Sequence, residues 1–199
     1  MSWTTVKLIE LATVSSGGGA PQDPDAFSSE GTPFVRAGSL IKLLEGLPED
    51  GLELLQPEVA AAYRLKLFPA GTVLFAKSGM SATKGHIYQL KNPAYVVNHL
   101  AALTPRSAIA GRYLRHVMQF KSPTCLIKDE AYPSIRLGEI EEMEVPAPID
   151  DAEKERIAEI LDQADELRCK RQRAIDRLNQ LGQAIFYEMF GDPGINPRG

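Results

Sequence analysis

Apolar positions change their spacing along the chain, and the spacing divides it into a head and an arm. Residues 2–14 carry Trp3, Val6, Leu8, Leu11 and Val14, the pattern of a short extended or hairpin segment. Ser15-Ser16-Gly17-Gly18-Gly19-Ala20-Pro21 is a loop, since a glycine run admits positive φ and Pro21 ends regular structure. Residues 31–36 form a turn entering a strand, and short helical pieces fall around 40–44 and 57–63. After the turn Pro69-Ala70-Gly71, the β-branched and aromatic run Thr72-Val73-Leu74-Phe75-Ala76 is a strand. It leads into a polar loop, residues 77–85, and then into His86-Ile87-Tyr88-Gln89-Leu90, which alternates as a second strand; Tyr95-Val96-Val97 is a third. Residues 110–120 place Tyr113, Leu114, Val117 and Phe120 at helical spacing. Pro146-Ala147-Pro148 marks a boundary.

Beyond it the period changes. Asp150 or Asp151 is a good N-cap with acids following in the first turn. Ile157, Ile160, Ala164, Leu167, Arg171, Ala174, Leu178, Leu181 and Ile185 then recur in steps of three and four, a heptad seam with Arg171 as its charged exception. Leu161, Arg168, Ile175 and Met189 widen the stripe. The helix is expected to run from 151 to 190, stopped by Gly191 and Pro193. At 1.5 Å per residue that is roughly 60 Å, longer than a small domain can cover, so the helix needs a partner, expected to be another helix. The fold class is therefore α+β: a mixed, twisted β-sheet with packed helices, followed by one long coiled-coil-type helix. The expected divisions are 1–148 for the head, 149–190 for the arm and 191–199 for a tail or linker.

Composition narrows the class. The chain has 199 residues, 44% hydrophobic and 24% charged, which is globular rather than disordered. No apolar run approaches the roughly 20 residues that span a bilayer. Met1-Ser2-Trp3-Thr4-Thr5 lacks the basic flank and apolar core of a signal peptide. Cys125 and Cys169 fit no metal-ligand spacing, so no metal is expected and a cytoplasmic protein with reduced thiols is.

A formal net charge of −4 speaks against a polyanionic partner until the charge is located. Residues 59–128 contain ten Lys or Arg (Arg64, Lys66, Lys77, Lys84, Lys91, Arg106, Arg112, Arg115, Lys121 and Lys128), all three histidines, and no Asp or Glu. Residues 141–199 carry fourteen acids against eight bases. A phosphate backbone selects for an acid-free stretch, because a nearby carboxylate costs affinity while each cation releases counterions. The alternative is a solvated basic face with no ligand.

Candidate contacts follow from this. Lys77, Ser78, Ser81, Thr83, Lys84 and His86 stand between two strands with Gly79 and Gly85, so the backbone can approach phosphate while cations and hydroxyls donate to phosphates or bases. The alternative is an ordinary polar hairpin. Arg36, at a strand end, is either a guanine-reading arginine or half of a surface ion pair. Arg64, Lys66 and Arg106 are phosphate contacts or solvated charges. Asn98 and His99 are expected to bond loop backbone, and Arg112 and Arg115 to lie on a solvated helix face. Phe186, Tyr187, Met189 and Phe190 are candidates for docking a partner or for plain core.

Several stretches resemble one family, the specificity (S) subunits of type I restriction-modification enzymes. Trp3-Thr4-Thr5-Val6-Lys7-Leu8 with Gly17-Gly18-Gly19-Ala20-Pro21, and Gly31-Thr32-Pro33-Phe34-Val35-Arg36-Ala37-Gly38-Ser39-Leu40, resemble the start of a target recognition domain. Pro69-Ala70-Gly71-Thr72-Val73-Leu74-Phe75 followed by Ser78-Gly79 is similar to the family's central strand and turn, and Asn98-His99-Leu100 to a stretch after it. Val145-Pro146-Ala147-Pro148-Ile149 followed by Glu153-Lys154-Glu155-Arg156-Ile157-Ala158-Glu159-Ile160-Leu161-Asp162 resembles the opening of the conserved helix, with Lys154 where Gln is usual. Leu181-Gly182-Gln183-Ala184-Ile185-Phe186-Tyr187-Glu188-Met189-Phe190-Gly191-Asp192-Pro193 resembles its end.

The resemblance implies a non-catalytic reader of double-stranded DNA that binds half of a bipartite target. It also implies docking to a modification (methyltransferase) subunit and a restriction (endonuclease and translocase) subunit. S-adenosylmethionine and ATP would belong to those partners, and the chain itself would need no cofactor. Full-length members carry two recognition domains and two helices; this chain resembles one of each, so a homodimer through antiparallel long helices is expected. A natural half-subunit and a truncated product both remain open.

Enzyme classes fit poorly. Asn92-Pro93-Ala94-Tyr95 nearly matches the Asn-Pro-Pro-Tyr motif of adenine methyltransferases, but its third residue differs and no glycine turn for S-adenosylmethionine accompanies it. A metal-dependent nuclease needs clustered carboxylates that the basic stretch lacks. Residues 79–84 faintly resemble a P-loop without its second glycine or its Lys-Ser/Thr pair. A coiled-coil adaptor that binds no DNA would explain the helix but not the acid-free head.

Overall fold

Strand β6 (Val73–Ala76) is four consecutive apolar residues, all buried. Such a run belongs to a strand covered on both faces. The structure, a computed structural model that describes residues 3–191, supplies both covers. β6 lies between β7 (Ile87–Gln89) and β9 (Leu100–Pro105), and β9 pairs beyond it with β2 (Ala12–Ser16), all antiparallel. Side chains along this sheet alternate between two cores. Val73, Phe75, Ile87, Ala101 and Leu103 enter one, with Leu8, Leu11, Leu114 and Met118. Leu74, Ala76, Tyr88, Leu100 and Ala102 enter the other, with Phe34, Leu40, Leu55 and Phe68.

Helix α4 (Ala108–Phe120) closes the first core with Tyr113, Leu114, Val117 and Met118, and Ser107 caps it by accepting from the Ala110 N–H at 3.1 Å. The second core is closed by another sheet, built from β3 (Thr32–Val35), β4 (Leu54–Leu55), β5 (Leu67–Phe68) and β8 (Ala94–Val96) in the order β4-β3-β8-β5. Its β3 and β8 run parallel and its other pairs antiparallel, so the α+β class with mixed sheets holds. Helices α2 (Ser39–Leu44) and α3 (Pro57–Ala62) contribute Leu40, Leu43 and Ala60 to the same core, where short helical pieces are expected from the sequence.

Three elements differ from expectation. The opening segment is β1 (Trp3–Lys7), a single turn of helix α1 (Leu8–Leu11), and then β2, which takes Ser15 and Ser16 into the sheet. β9 carries no sequence signal because its buried Ala101 and Ala102 have low strand propensity; small side chains at the sheet centre let both layers approach. Pro146-Ala147-Pro148, expected only to mark the boundary before the long helix, is itself part of a strand, β10 (Glu144–Pro148), paired antiparallel with β1. Two prolines spaced by two residues put both missing N–H groups on the backbone edge facing away from β1, so the ladder tolerates them. On that free edge the Pro146 carbonyl accepts from the Tyr113 hydroxyl at 2.8 Å. Between α4 and β10, a short helix α5 (Leu137–Glu141) adds Ile140 to the first core.

One buried carboxylate ties the second core together. Glu49 is 4% exposed and accepts from the Tyr88 hydroxyl (3.0 Å), the Lys91 N–H (2.7 Å), and the Asn92 N–H (2.8 Å) and side-chain amide (3.1 Å). Asn92, the residue that gave the methyltransferase resemblance, is thereby committed to the turn between β7 and β8. Burial, and then the neighbouring carboxylate, push the Tyr88 hydroxyl well above its ordinary value of 10.0.

Helix α6 (Asp151–Phe190) has the predicted limits. Asp150 caps it, accepting from the Ala152 N–H at 3.1 Å, and Gly191 closes it at φ +80° with its N–H on the Tyr187 carbonyl at 2.9 Å. The expected stop at Pro193 and the tail beyond Gly191 lie outside the described residues. The chain divides into two units between Ala158 and Glu159, so the first turns of α6 belong to the head. Ala158 is buried in the first core and Ile157 packs against it.

Replacing Glu49 by Ala strands four donors, from three residues, in a dry site. We expect a loss of about 3 kcal/mol, on the order of 6–12 °C in Tm, with Glu49→Gln costing less. Because the Tyr88 value is raised on folding, its contribution is complete below pH 10 and is lost as pH rises further. Stability measured by denaturant should fall in that alkaline range, and Tyr88→Phe should flatten the fall.

Candidate nucleic-acid interface

The antiparallel order β2-β9-β6-β7 brings the ends of β2 and β6 and the starts of β9 and β7 to one edge. Register fixes this: Ser16 faces Ala101, Ala76 faces Leu100, and Phe75 faces Ile87. Three loops meet there, residues 17–19, 77–86 and 97–99. The Gly18 N–H donates to the Val96 carbonyl at 2.9 Å, and the Asn98 N–H to Gly18 at 2.7 Å. The Lys77 N–H donates to the His99 carbonyl at 2.9 Å, and the Ser78 hydroxyl contacts His99 Nδ1 at 2.8 Å. Asn98 and His99 thus tie the loops mainly through their main chains, and the His99 ring meets the Ser78 hydroxyl rather than the loop backbone that was expected. Gly17 is required by the close approach: a Cβ there would lie 1.8 Å from the Val96 carbonyl oxygen.

The second sheet ends at the same place. The Val97 N–H donates to the Val35 carbonyl at 3.0 Å, and Arg36 follows directly. Leu67 faces Tyr95, so Lys66 stands level with Val96. Arg36, Lys66, Lys77, Ser78, Ser81, Thr83, Lys84 and His86 therefore come from distant stretches of sequence to one end of the head.

Within 77–86 a 3-10 turn, Met80–Lys84, is bracketed by Gly79 (φ +73°) and Gly85 (φ +63°), both in the region that favours glycine. Ala82 anchors the turn in the second core, leaving Thr83 and Lys84 exposed and Lys77, Ser78, Ser81 and His86 half-buried. The Thr83 hydroxyl donates to the Met80 carbonyl at 2.9 Å. The Lys66 ammonium lies 5.0 Å from the Phe68 ring centre. Arg36 takes the ion-pair alternative: its Nε bonds Glu53, and its guanidinium sits 5.3 Å from the rings of both Phe27 and Phe34.

Arg106 is not part of this group. Pro105 faces Ala12, at the opposite end of the sheet, and Arg106 there donates its N–H to Leu11 (3.0 Å) and its Nε to Ile9 (3.1 Å). Nor does the acid-free stretch form one surface. Lys128 pairs with Glu139, and Lys121 Nζ donates to the Glu144 carbonyl at 2.6 Å. The Lys128 partnership, reinforced by the Arg136 N–H, holds the Glu139 carboxyl below its ordinary value.

One segment at this end has no counterpart in the sequence reading. The Gly79 N–H donates to the Pro133 carbonyl (2.9 Å), the Ile135 N–H to Lys77 (2.8 Å), and Ser78 bridges Ser134. Residues 131–134 thus join the loop cluster. They fall outside the acid-free stretch, next to Asp129 and Glu130, so a search by charge passes over them.

On the arm, Ile160, Ala164, Leu167, Arg171, Ala174, Leu178, Leu181 and Ile185 are all exposed, Leu167 and Leu178 by two thirds (67% and 66%). Ile157 is engaged by the head, so the open seam begins at Ile160. Phe186, Tyr187, Met189 and Phe190 are exposed as well, with Phe186 against Phe190 at 5.0 Å between ring centres. Exposed pairs such as Lys170–Glu166, in which the lysine holds the Glu166 carboxyl below its ordinary value, support the helix only weakly because solvent screens them. Among the described residues no cluster of three or more His, Cys, Asp or Glu could hold a metal, and no helix is long and apolar enough to cross a membrane.

A two-cored head whose loops gather at one sheet end, continued by a long helix, is the architecture of a target recognition domain with its spacer helix. Residues 1–180 match the family model of the type I restriction modification DNA specificity domain, and the chain belongs to that family. It is similar to the type I restriction enzyme MjaIX specificity subunit of Methanocaldococcus jannaschii, 25% identical over 149 residues, 73% of this chain and 34% of that subunit. Among solved structures it resembles the HsdS subunit from Thermoanaerobacter tengcongensis (TM-score 0.61, 22% identity, 95% of this chain and 45% of that one). It also resembles the S subunit from M. genitalium (TM-score 0.60, 14% identity, 94% and 45%). The chain spans about a third of that curated relative and under half of these two subunits.

Gly17→Ala should force the 17–19 loop off β8. We expect a Tm several degrees lower, consistent with the roughly 1–3 kcal/mol of overpacking, whereas Gly19→Ala, with open space around its Cβ, should leave Tm unchanged.

Proposed function

We propose that this chain is the DNA-reading part of a type I restriction-modification enzyme, that it binds half of a bipartite double-stranded target, and that it acts in the cytoplasm. The convergence of residues 17–19, Arg36, Lys66, 77–86 and 98–99 at one sheet end carries the reading. Lys66, Lys77 and Lys84 neutralise phosphates, Ser78, Ser81 and His86 donate to phosphate or base acceptors, and Thr83, whose proton is held by the Met80 carbonyl, offers its hydroxyl oxygen as an acceptor. Arg36, braced by Glu53, presents a fixed guanidinium at the rim. Arg106 contributes only long-range charge. The chain performs no chemistry itself: methyl transfer from S-adenosylmethionine and ATP-driven cleavage belong to the modification and restriction subunits it docks.

The arm, residues 149–190, pairs antiparallel with the same helix of a second copy through the seam from Ile160 to Ile185, and the length of the pair sets the gap between the half-sites. The exposed apolar stripe supports this, since such a stripe marks an association surface.

Binding to duplex DNA, with the modification partner present, should weaken as salt rises. The log–log slope should shrink by about 0.9 for each of Lys77→Gln and Lys84→Gln. A flat salt dependence contradicts DNA binding and leaves a helical adaptor. Leu167→Asp with Leu178→Asp should halve the mass in solution; an unchanged mass contradicts the helix pairing.

A further inference from the structure

Two large side chains stand exposed on the loop cluster. Met80 is 64% exposed and Tyr132 is 82% exposed, and both line one depression with Gly79, Ala131, Pro133 and Ser134. Single exposed apolar residues are ordinary; two from distant segments, held together, are not. Gly79 at φ +73° turns Met80 outward at the start of its 3-10 turn, and Ala82 fixes that turn in the core. Asp129 braces the other side by accepting from the Ala131 N–H (2.8 Å) and the Tyr132 N–H (3.4 Å). The Gly79–Pro133 hydrogen bond locks the two segments to each other.

The charge around the pair is mixed. Lys77 and Lys84 flank the turn, while Glu130 lines a neighbouring depression with Met80, Thr83, Thr124 and Ile127. A carboxylate repels phosphate, so this spot is unsuited to the DNA backbone. Base edges have the matching chemistry. The thymine methyl and base ring faces accept apolar contacts, and the exocyclic amine of cytosine donates to a carboxylate. Cations at the rim and an apolar, acid-bordered centre are the arrangement of backbone positioning around base readout.

Resting on the DNA-binding reading above, we infer that Met80, Tyr132 and Glu130 are specificity-determining residues that contact base edges, and that the lysines around them hold phosphates. Charge alone hides such residues, because a search for acid-free sequence selects backbone contacts.

The test is selection of bound duplexes from a random-sequence pool by the full chain with its modification subunit, followed by sequencing. Met80→Ala and Tyr132→Ala should each lose preference at one or two motif positions, with roughly tenfold less discrimination there, and keep the wild-type salt slope. Met80→Leu and Tyr132→Phe should keep the motif. Glu130→Gln should change the preferred base at a position. Tm of every variant should equal the wild type, since all three side chains are exposed. An unchanged motif in the alanine variants and in Glu130→Gln overturns the inference, and so does loss of the modification subunit in place of base preference. If the wild-type chain enriches no motif and shows no salt dependence, the DNA reading itself falls, and this inference with it.

Discussion

Burial of β6 and β9 on both faces is the constraint from which the loop cluster follows. One face fills the core under α4 and the other fills the core under the second sheet, so neither layer can slide without emptying a core. Main-chain bonds at Gly18, Val96, Val97 and His99 then fasten the ends of both sheets together. The side chains of the loops beyond those bonds are released from packing. Glu49 does the equivalent at the turn between β7 and β8, where a single carboxylate satisfies three residues.

This division of labour separates the positions that hold the fold from those that form the loop surface. The loops are short and closely tied, so a changed side chain at an exposed position such as Met80, Thr83, Lys84 or Tyr132 alters the surface without altering the cores, in which Ala82 is anchored. The arm obeys a different logic. Its helix carries an apolar seam at heptad spacing, and among the described residues none from Glu159 to Gly191 is buried. Weak surface ion pairs along it cannot offset an exposed stripe of that length, and the proposed pairing with a second helix would cover it.

Legibility in the sequence tracked how local each cause was. The α6 limits, Asp150 to Gly191, come from caps and a repeated period within the helix itself. β6 and β7 are visible through β-branched and aromatic runs. β9 is not, because what makes Ala101 and Ala102 a strand is the pair of layers pressing on them. β10 is not legible as a strand because only its partner β1 reveals that both prolines face a free edge. At the candidate site, the acid-free stretch singled out 77–86, which the structure places among the loops at one end of the sheets. It could not tell that Arg106 belongs to the far end of the same sheet, nor that residues 131–134 join the loops, since both facts depend on register between distant segments.

The central claim is that one end of the two-cored sheet faces DNA. Hydrogen exchange of the full chain with its modification subunit, measured with and without a target duplex, tests it directly. The account predicts added protection at 17–19, 77–86, 97–99 and 131–134, and none around Arg106 or the turn at Glu49. Protection confined to the Arg106 end, or spread evenly over the head, would contradict it.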